Sequence, residues 1–343
     1  MPVQHPTYTD DQLETYLRRI EYPRAAPTEI DGSQLQQIRE GIKTNPLHTL
    51  AHLQRCHLTA IPWGNSGLHY SQHHTISLDP DSLYEKMVER RLDGYCMESS
   101  GLFFVVLRSL GYRVYATGGR VSHAAASSRG VDDGLYLSLG HMILIVIIDG
   151  EKYMVSSLPT SYGGSSYADI YIDVQVDVGF GNNCATAPLP LREGATATCI
   201  APCEMRLVRD SLAEFMDKDQ KVWIYQTRHN VESNWIPNIC FADVEFLPQD
   251  FGVMNFSVSQ TRTSWFTQAF VCVRMILDES GTEIIGQYMM VDKEVKRRVR
   301  GQTEILQVLH SEQDRIEALA KYFDMHLRDS EIRGIRGLTS ELK

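Results

Sequence analysis

Residues 93–111 read DGYCMESSGLFFVVLRSLG, and the fold turns on what this stretch becomes. Leu102, Phe103, Val106, Leu107 and Leu110 recur at the three- and four-residue spacing of one apolar helix face, and Gly111 supplies a stop. The spacing predicts a helix that begins where a glycine turn ends, with Cys96 at its entrance. A sulfur there lies near unpaired N–H groups and the positive end of the helix dipole, which favours thiolate, the form that attacks a carbonyl carbon. The plainer reading is a buried structural cysteine on a core helix. Partners elsewhere in the chain must decide between the two.

The 343 residues are 43% hydrophobic and 22% charged, an ordinary globular mixture long enough for about two or three domains. A net charge of −10 argues against nucleic acid and against an anionic membrane surface as partners, since both need a broad basic field. Seven cysteines, at 56, 96, 184, 199, 203, 240 and 272, are scattered and odd in number, and the opening MPVQHPTYTDDQ has no basic and apolar leader. A reducing, cytoplasmic setting is the expectation. Cys199 and Cys203 lie close together but have no second pair and no histidine near them in sequence, so no metal is expected. The longest apolar run, Met142 to Ile148, is too short to span a bilayer.

In chain order, Thr9 and Gln12 fit a capping box ahead of the stripe Leu13, Tyr16, Leu17 and Ile20, which predicts a first helix over 9–20. Ser33 with Gln36, and then Pro46, signal two more helices, so the first hundred residues read as a helical bundle. After Gly111 the period changes. Tyr112–Val121 and His141–Ile148 are β-branched and aromatic, Asp149-Gly150 is a tight-turn signal, and Lys152–Val155 should return antiparallel. Ile170–Val178 alternates cleanly as a strand, and residues 156–168 read as an exposed loop. Strands are also expected over Lys221–Thr227, Ile239–Phe246 and Trp265–Leu277. The basic cluster Lys296, Arg297, Arg298 and Arg300 reads as a solvated face. A last helix follows Ser311 and Asp314, with Ile316, Leu319, Ala320 and Phe323 facing a core, and a loose charged tail follows Leu327.

Two downstream residues could serve Cys96. His141 begins the apolar strand HMILIVII, and Asp177 ends the alternating strand before Gly179-Phe180-Gly181. A thiol nucleophile needs a base to take its proton, and the base needs an acceptor on its other nitrogen to fix tautomer and orientation. Asp173, on the same face as Asp177, is a rival acid. Spacing alone leaves open whether these residues meet, and each has an ordinary structural role as its alternative.

Several segments resemble the arylamine N-acetyltransferases. GYCMES is similar to the family's Arg-Gly-Gly-x-Cys-x-Glu-x-Asn box, GHMILIV to its histidine strand, and VDVGFG followed by APLPL to its aspartate segment. HTLAHLQRCHLTAIPWGN resembles the helix leading to Pro-Phe-Glu-Asn, YLRRIEY the N-terminal Tyr-Leu-x-Arg-Ile, and NWIPN with DFGVMNFSVS later family segments. The resemblance runs in order from about residue 16 to about residue 325. It implies an α+β multidomain fold with a cysteine-protease-like Cys-His-Asp triad. The three parts would be a helical bundle over 1–111 carrying the nucleophile, an antiparallel β-barrel over 112–230 carrying the histidine and the acid, and an α/β lid over 231–343.

The implied activity is ping-pong acyl transfer from acetyl-CoA, or from malonyl-CoA as in some fungal relatives, to an arylamine or hydrazine. Cys96 would be the nucleophile, His141 the base and Asp177 the orienting acid. The resemblance further puts Val121, Ser122, Phe180, Asn182 and Cys184 at the acceptor pocket and Leu137 and Ser138 beside CoA. For a malonyl donor, Arg120 is the candidate partner of the extra carboxylate.

The match has departures. Leu92 and Asp93 stand where the box has Arg and its first Gly, and Ser100 where it has Asn; Arg90 and Arg91 are candidates for the missing guanidinium. Pro62-Trp63-Gly64-Asn65 lacks the family's acid, and Ser259-Gln260-Thr261-Arg262 replaces Ser-Thr-Ser-Pro. Residues 156–168 look like an insertion of the kind fungal members carry. The rival readings are hydrolysis or transamidation of peptide amides on the same triad, as in papain-like and transglutaminase-like proteins, which the flanking boxes oppose, and an inactive ligand-binding homologue.

Overall fold

A computed structural model of the chain describes residues 5–23, 33–126, 132–156 and 185–343. Helices α1 (Asp10–Arg19), α2 (Gln34–Thr44) and α3 (Pro46–Ala60) come first, then a two-residue strand β1 (Trp63–Gly64) and the short helices α4 (Ser66–His69) and α5 (Pro80–Tyr84). A π-helical turn, Glu85–Glu89, leads to α6 (Cys96–Ser109). The caps are those the sequence signals. Thr9 Oγ1 accepts from the Gln12 amide at 3.3 Å while Gln12 Oε1 accepts from the Thr9 amide at 2.9 Å. Ser33 caps α2, and Pro46 opens α3.

A β region follows: β2 (Arg113–Ser122), the single-turn α7 (His123–Ala126), β3 (Tyr136–Ile148), β4 (Glu151–Val155), β5 (Leu189–Pro190), β6 (Thr196–Thr198), β7 (Glu204–Asp210), β8 (Val222–Arg228) and β9 (Ile236–Phe241). These eight strands form one antiparallel sheet in the order β5-β4-β3-β2-β9-β8-β7-β6. Ile143, Ile145, Met154, Leu189, Met205, Leu207, Tyr225, Ile239 and Phe241 share one buried cluster on its inner face, so the sheet wraps around its own core as a nearly closed barrel. The Asp149-Gly150 turn has φ of 51° and 83° and pairs Ile148 with Glu151, the two-residue hairpin its sequence predicts.

The chain then forms α8 (Pro248–Gln260), α9 (Trp265–Gln268), β10 (Val271–Leu277), β11 (Ile284–Val291), β12 (Glu294–Val299), β13 (Gln302–Val308), α10 (Glu312–Phe323) and α11 (Asp329–Ile332). β10 to β13 make an antiparallel meander to which β1 adds an edge, in the order β1-β10-β11-β12-β13. The architecture is α+β. Between the helices and the barrel lies α6, with Leu102, Phe103, Val106 and Leu107 in the largest buried cluster as the stripe predicts. No helix among the described residues is long and apolar enough to cross a membrane.

Four expectations need correction. Trp265–Leu277 is not one strand: Ser264 precedes a helical turn, and β10 starts only at Val271. β9 ends at Phe241, after which the chain turns back so that the Phe246 amide donates to Ala116 O at 2.8 Å. The basic cluster is not simply solvated. It forms β12, where Arg298 is only 5% exposed and Lys296 pairs with Glu294 at 2.6 Å. The tail is docked rather than loose: Glu331 accepts from both terminal nitrogens of Arg90, at 2.6 and 3.1 Å, and Ile335 is buried. The expected strand 170–178 lies outside the described residues.

Phe246 packs against β2 at Gly118, where an added Cβ would meet its ring at 2.4 Å. Gly118→Val should therefore displace Phe246 and destabilise the fold by about 1–3 kcal/mol. The urea midpoint checks this, and an unchanged midpoint would show that the ring can move freely.

Candidate functional site

Leu92 through Ser100 are all buried, so each polar group of the first turn of α6 must be satisfied from another element. Tyr95 is the extended N-cap, and its amide donates to Glu98 Oε2 at 3.0 Å. Glu98 also accepts from Lys86 Nζ at 2.7 Å. Ser99 Oγ lies 3.0 Å from His57 Nε2, whose Nδ1 is 2.9 Å from the Tyr16 hydroxyl. Ser100 Oγ donates to Met142 O at 3.2 Å, and the Tyr95 hydroxyl donates to Asn255 Oδ1 of α8. Ser100, one of the departures from the family box, thus ties the cysteine helix to β3 one residue past His141.

Cys96 is the first residue of α6, and its Sγ donates to Gly140 O at 3.6 Å. Gly119 pairs with His141 and Arg120 with Leu139, which leaves Gly140 as the extra residue of a β-bulge. The bulge turns that carbonyl toward the sulfur, a re-aiming that bulges commonly perform beside functional sites. His141 follows directly, is 0% exposed, and has no hydrogen-bond partner on either ring nitrogen among the described residues. Burial pushes its pKa down to about 3 and holds the imidazole in its neutral form.

Asp177, Phe180, Asn182 and Cys184 lie outside the described residues, as does the rival Asp173. The segment's flanks are fixed, however: Gln54 Nε2 donates to Ser156 O at 3.0 Å and to Ala185 O at 2.8 Å. Val121 is buried against Ile239. The Ser122 hydroxyl donates to Pro237 O at 2.5 Å and accepts from the Ala125 amide at 3.0 Å, so it is committed within the fold. Leu137, 39% exposed, and Ser138 sit at the open start of β3. Arg120 pairs across the sheet with Leu139 and Cys240, one step from the Gly119–His141 pair, and its guanidinium donates to Leu137 O at 3.4 Å. Strand alternation therefore directs Arg120 to the face opposite His141.

Around the departures from the family box the structure adds two residues the sequence did not single out, Ser66 and Lys86. Asp93 accepts from the Ser66 amide at 3.1 Å and from its hydroxyl, and it occupies the space a side chain at Gly64 would fill. Arg90 and Arg91 pair with Glu331 and Asp324 instead of bracing the box, and Lys86 supplies the cation there. Burial opposes the Lys86 charge, but Glu98 and Asp93 outweigh it and hold its pKa above the ordinary value. Burial pushes both carboxyls upward against the pull of Lys86. No local pattern marks a lysine in a π-helical turn as a partner of a helix that starts ten residues later.

A cavity of about 650 Å³ runs beside α6 from Met97 and Met142, the residues after Cys96 and His141, past Phe104 to Arg108, with Phe246 and Phe251 also lining it. Neither Cys96 nor His141 lines it. Elsewhere, the fold brings His229 within 3.6 Å of Cys203, although no histidine is near in sequence; burial pushes the neighbouring Cys199 thiol up to about 12.

Known proteins share this chain's sequence and fold. The family model described as N-acetyltransferase matches residues 46–171 and 168–332. The chain is 33% identical over 344 residues to the N-malonyltransferase FDB2 of Fusarium pseudograminearum, covering 96% of this chain and 93% of that protein. It is 29% identical over 235 residues to the arylamine N-acetyltransferase / N-hydroxyarylamine O-acetyltransferase of Salmonella typhimurium, 68% of each. Two solved structures share the fold. The Salmonella typhimurium arylamine N-acetyltransferase has a TM-score of 0.68 at 22% identity, covering 96% of this chain and 98% of that one. The Mycobacterium marinum enzyme in complex with CoA has a TM-score of 0.67 at 23% identity, covering 95% and 99%. Fold and sequence together define an acyltransferase. The chain belongs to the arylamine N-acetyltransferase family.

Burial pushes His57 and His141 down to about 3 and His69 down to about 4. These values lie below the roughly 6.5 of an unfolded histidine, so on acidification the unfolded chain takes up protons that the native chain does not. Stability should be fully present above about pH 6.5 and fall progressively toward pH 4 and below. Urea midpoints measured across that window test this; a flat profile contradicts neutral buried imidazoles.

Proposed function

We propose that this chain transfers an acyl group from a coenzyme A thioester to an arylamine or arylhydrazine through an acyl-cysteine on Cys96. The observation that carries the reading is the meeting of a cysteine at a helix N-terminus with the bulge that presents His141. The neutral His141 takes the thiol proton and the sulfur attacks the thioester carbonyl. Backbone N–H groups at the start of α6 stabilise the oxyanion, and collapse expels CoA thiol, which takes up the proton. The amine then attacks the acyl-cysteine, His141 accepts its proton, and the amide leaves as the cysteine is restored. Asp177 is assigned the orienting role because a buried imidazole with no described partner needs an acceptor to fix its tautomer.

For the donor, acetyl-CoA is the family's general choice. The similarity to an N-malonyltransferase over nearly the full length of both chains favours malonyl-CoA as the second reading. Arg120 is a poor partner for a malonyl carboxylate, since its strand position directs it away from His141.

Intact-mass measurement after adding each donor tests the proposal. An adduct mapping to Cys96, of acetyl or malonyl mass, should form with release of CoA thiol and discharge when an arylamine is added. Cys96→Ser should form none, and His141→Ala should slow transfer by roughly 10²–10⁴-fold. Absence of an adduct with either donor would instead identify a ligand-binding homologue without activity.

A further inference from the structure

The first turn of α6 carries an unusual charge arrangement for a thiolate nucleophile. Two buried carboxylates flank Cys96, Asp93 at 0% and Glu98 at 1% exposure, three residues before it and two after. Either one, left ionised and unpaired, opposes a negative charge on the sulfur. One cation faces both: Lys86 Nζ is 2.7 Å from Glu98 Oε1 and acts electrostatically on Asp93.

Lys86 reaches this place through local geometry. It lies in the π-helical turn Glu85–Glu89, closed by the Arg90 amide donating to Glu85 O at 2.8 Å, and the chain reverses through Arg91 at φ 55° so that the Leu92 amide donates to Lys86 O at 3.0 Å. Such turns are often found at functional sites. Gly67 leaves room for the ammonium, since a Cβ there would lie 3.2 Å from Nζ, and Gly64 leaves room for Asp93, whose Oδ2 would be 2.2 Å from a Cβ. Four positions on separate segments thus fit one another: 64, 67, 86 and 93.

We propose that Lys86 is a positioning residue of the nucleophile, balancing Asp93 and Glu98 so that Cys96 can ionise while its helix stays capped. The inference rests on Cys96 being the nucleophile. The other ionisable groups around the site are the Tyr95 phenol, engaged with Asn255, and His141 on β3. On the Asp93 side are Cys272 and Arg274 on β10, with Arg19 of α1 bonded to Met87 O at 3.2 Å. None of the described groups pairs with Glu98 as Lys86 does.

The test is the pH dependence of Cys96 alkylation by iodoacetamide, followed by peptide mass spectrometry on the full chain without any acyl donor. Lys86→Met should raise the midpoint by about one pH unit, slowing alkylation near neutrality by about tenfold. Glu98→Gln should lower the midpoint, and the double variant should return toward the parent value. A slower Lys86→Met protein with an unshifted midpoint would make Lys86 merely structural and overturn the proposal, as would a shift that Glu98→Gln fails to reverse. If Lys86→Met does not fold, Glu98→Gln alone decides: an unchanged midpoint refutes the electrostatic role. Because alkylation needs no CoA thioester, failure here is separable from failure to form an acyl adduct.

Discussion

The burial of the first turn of α6 is the constraint on which this structure depends. A helix N-terminus offers unpaired amides and a favourable dipole for a thiolate, but only a fixed one can hold a sulfur against a particular strand. Here the fixing is distributed. Glu98 looks to the π-helical turn, Ser99 to α3 through His57, and Ser100 to β3. Three consecutive side chains thereby lock the helix against three different elements, and the bulge at Gly140 completes the approach from the barrel. The apolar stripe lower on the same helix supplies the bulk of its burial, so polar attachment at one end and hydrophobic packing along the rest divide the work.

Much of the scaffold was legible because its signals are local. The Thr9–Gln12 cap, Pro46 at a helix start, the period-four stripe after Cys96 and the Asp149-Gly150 hairpin each need only a few neighbouring residues, and each has the predicted form. What misled was local pattern overruled by packing. Lys293–Arg300 reads as a charged surface, yet strand alternation buries Arg298, and the tail after Leu327 is pinned by Arg90 more than two hundred residues away. Trp265 and Phe266 are aromatic enough to suggest a strand but pack as a helical turn against Trp63 and Tyr95.

The candidate site divides the same way. Cys96 and His141 could be picked out by residue type and by resemblance, since each lies in a recognisable segment. Their frame could not, because it is assembled across the chain. Seen in sequence, Leu92, Asp93 and Gly64 look like three losses from a family pattern. In space, Asp93 fills the volume that Gly64 vacates and Lys86 provides the positive charge missing at Leu92, so the substitutions compensate one another. Two rearranged charges are invisible to a reader who compares positions one at a time.

The double hydrogen bond of Gln54 carries a consequence of another kind. One side-chain amide holds Ser156 O and Ala185 O, fixing the departure and return points of the intervening chain at a single spot on α3. Gln54 thus serves as a clasp: a carbonyl just after β4 and another ahead of β5 are held by a single side chain of α3.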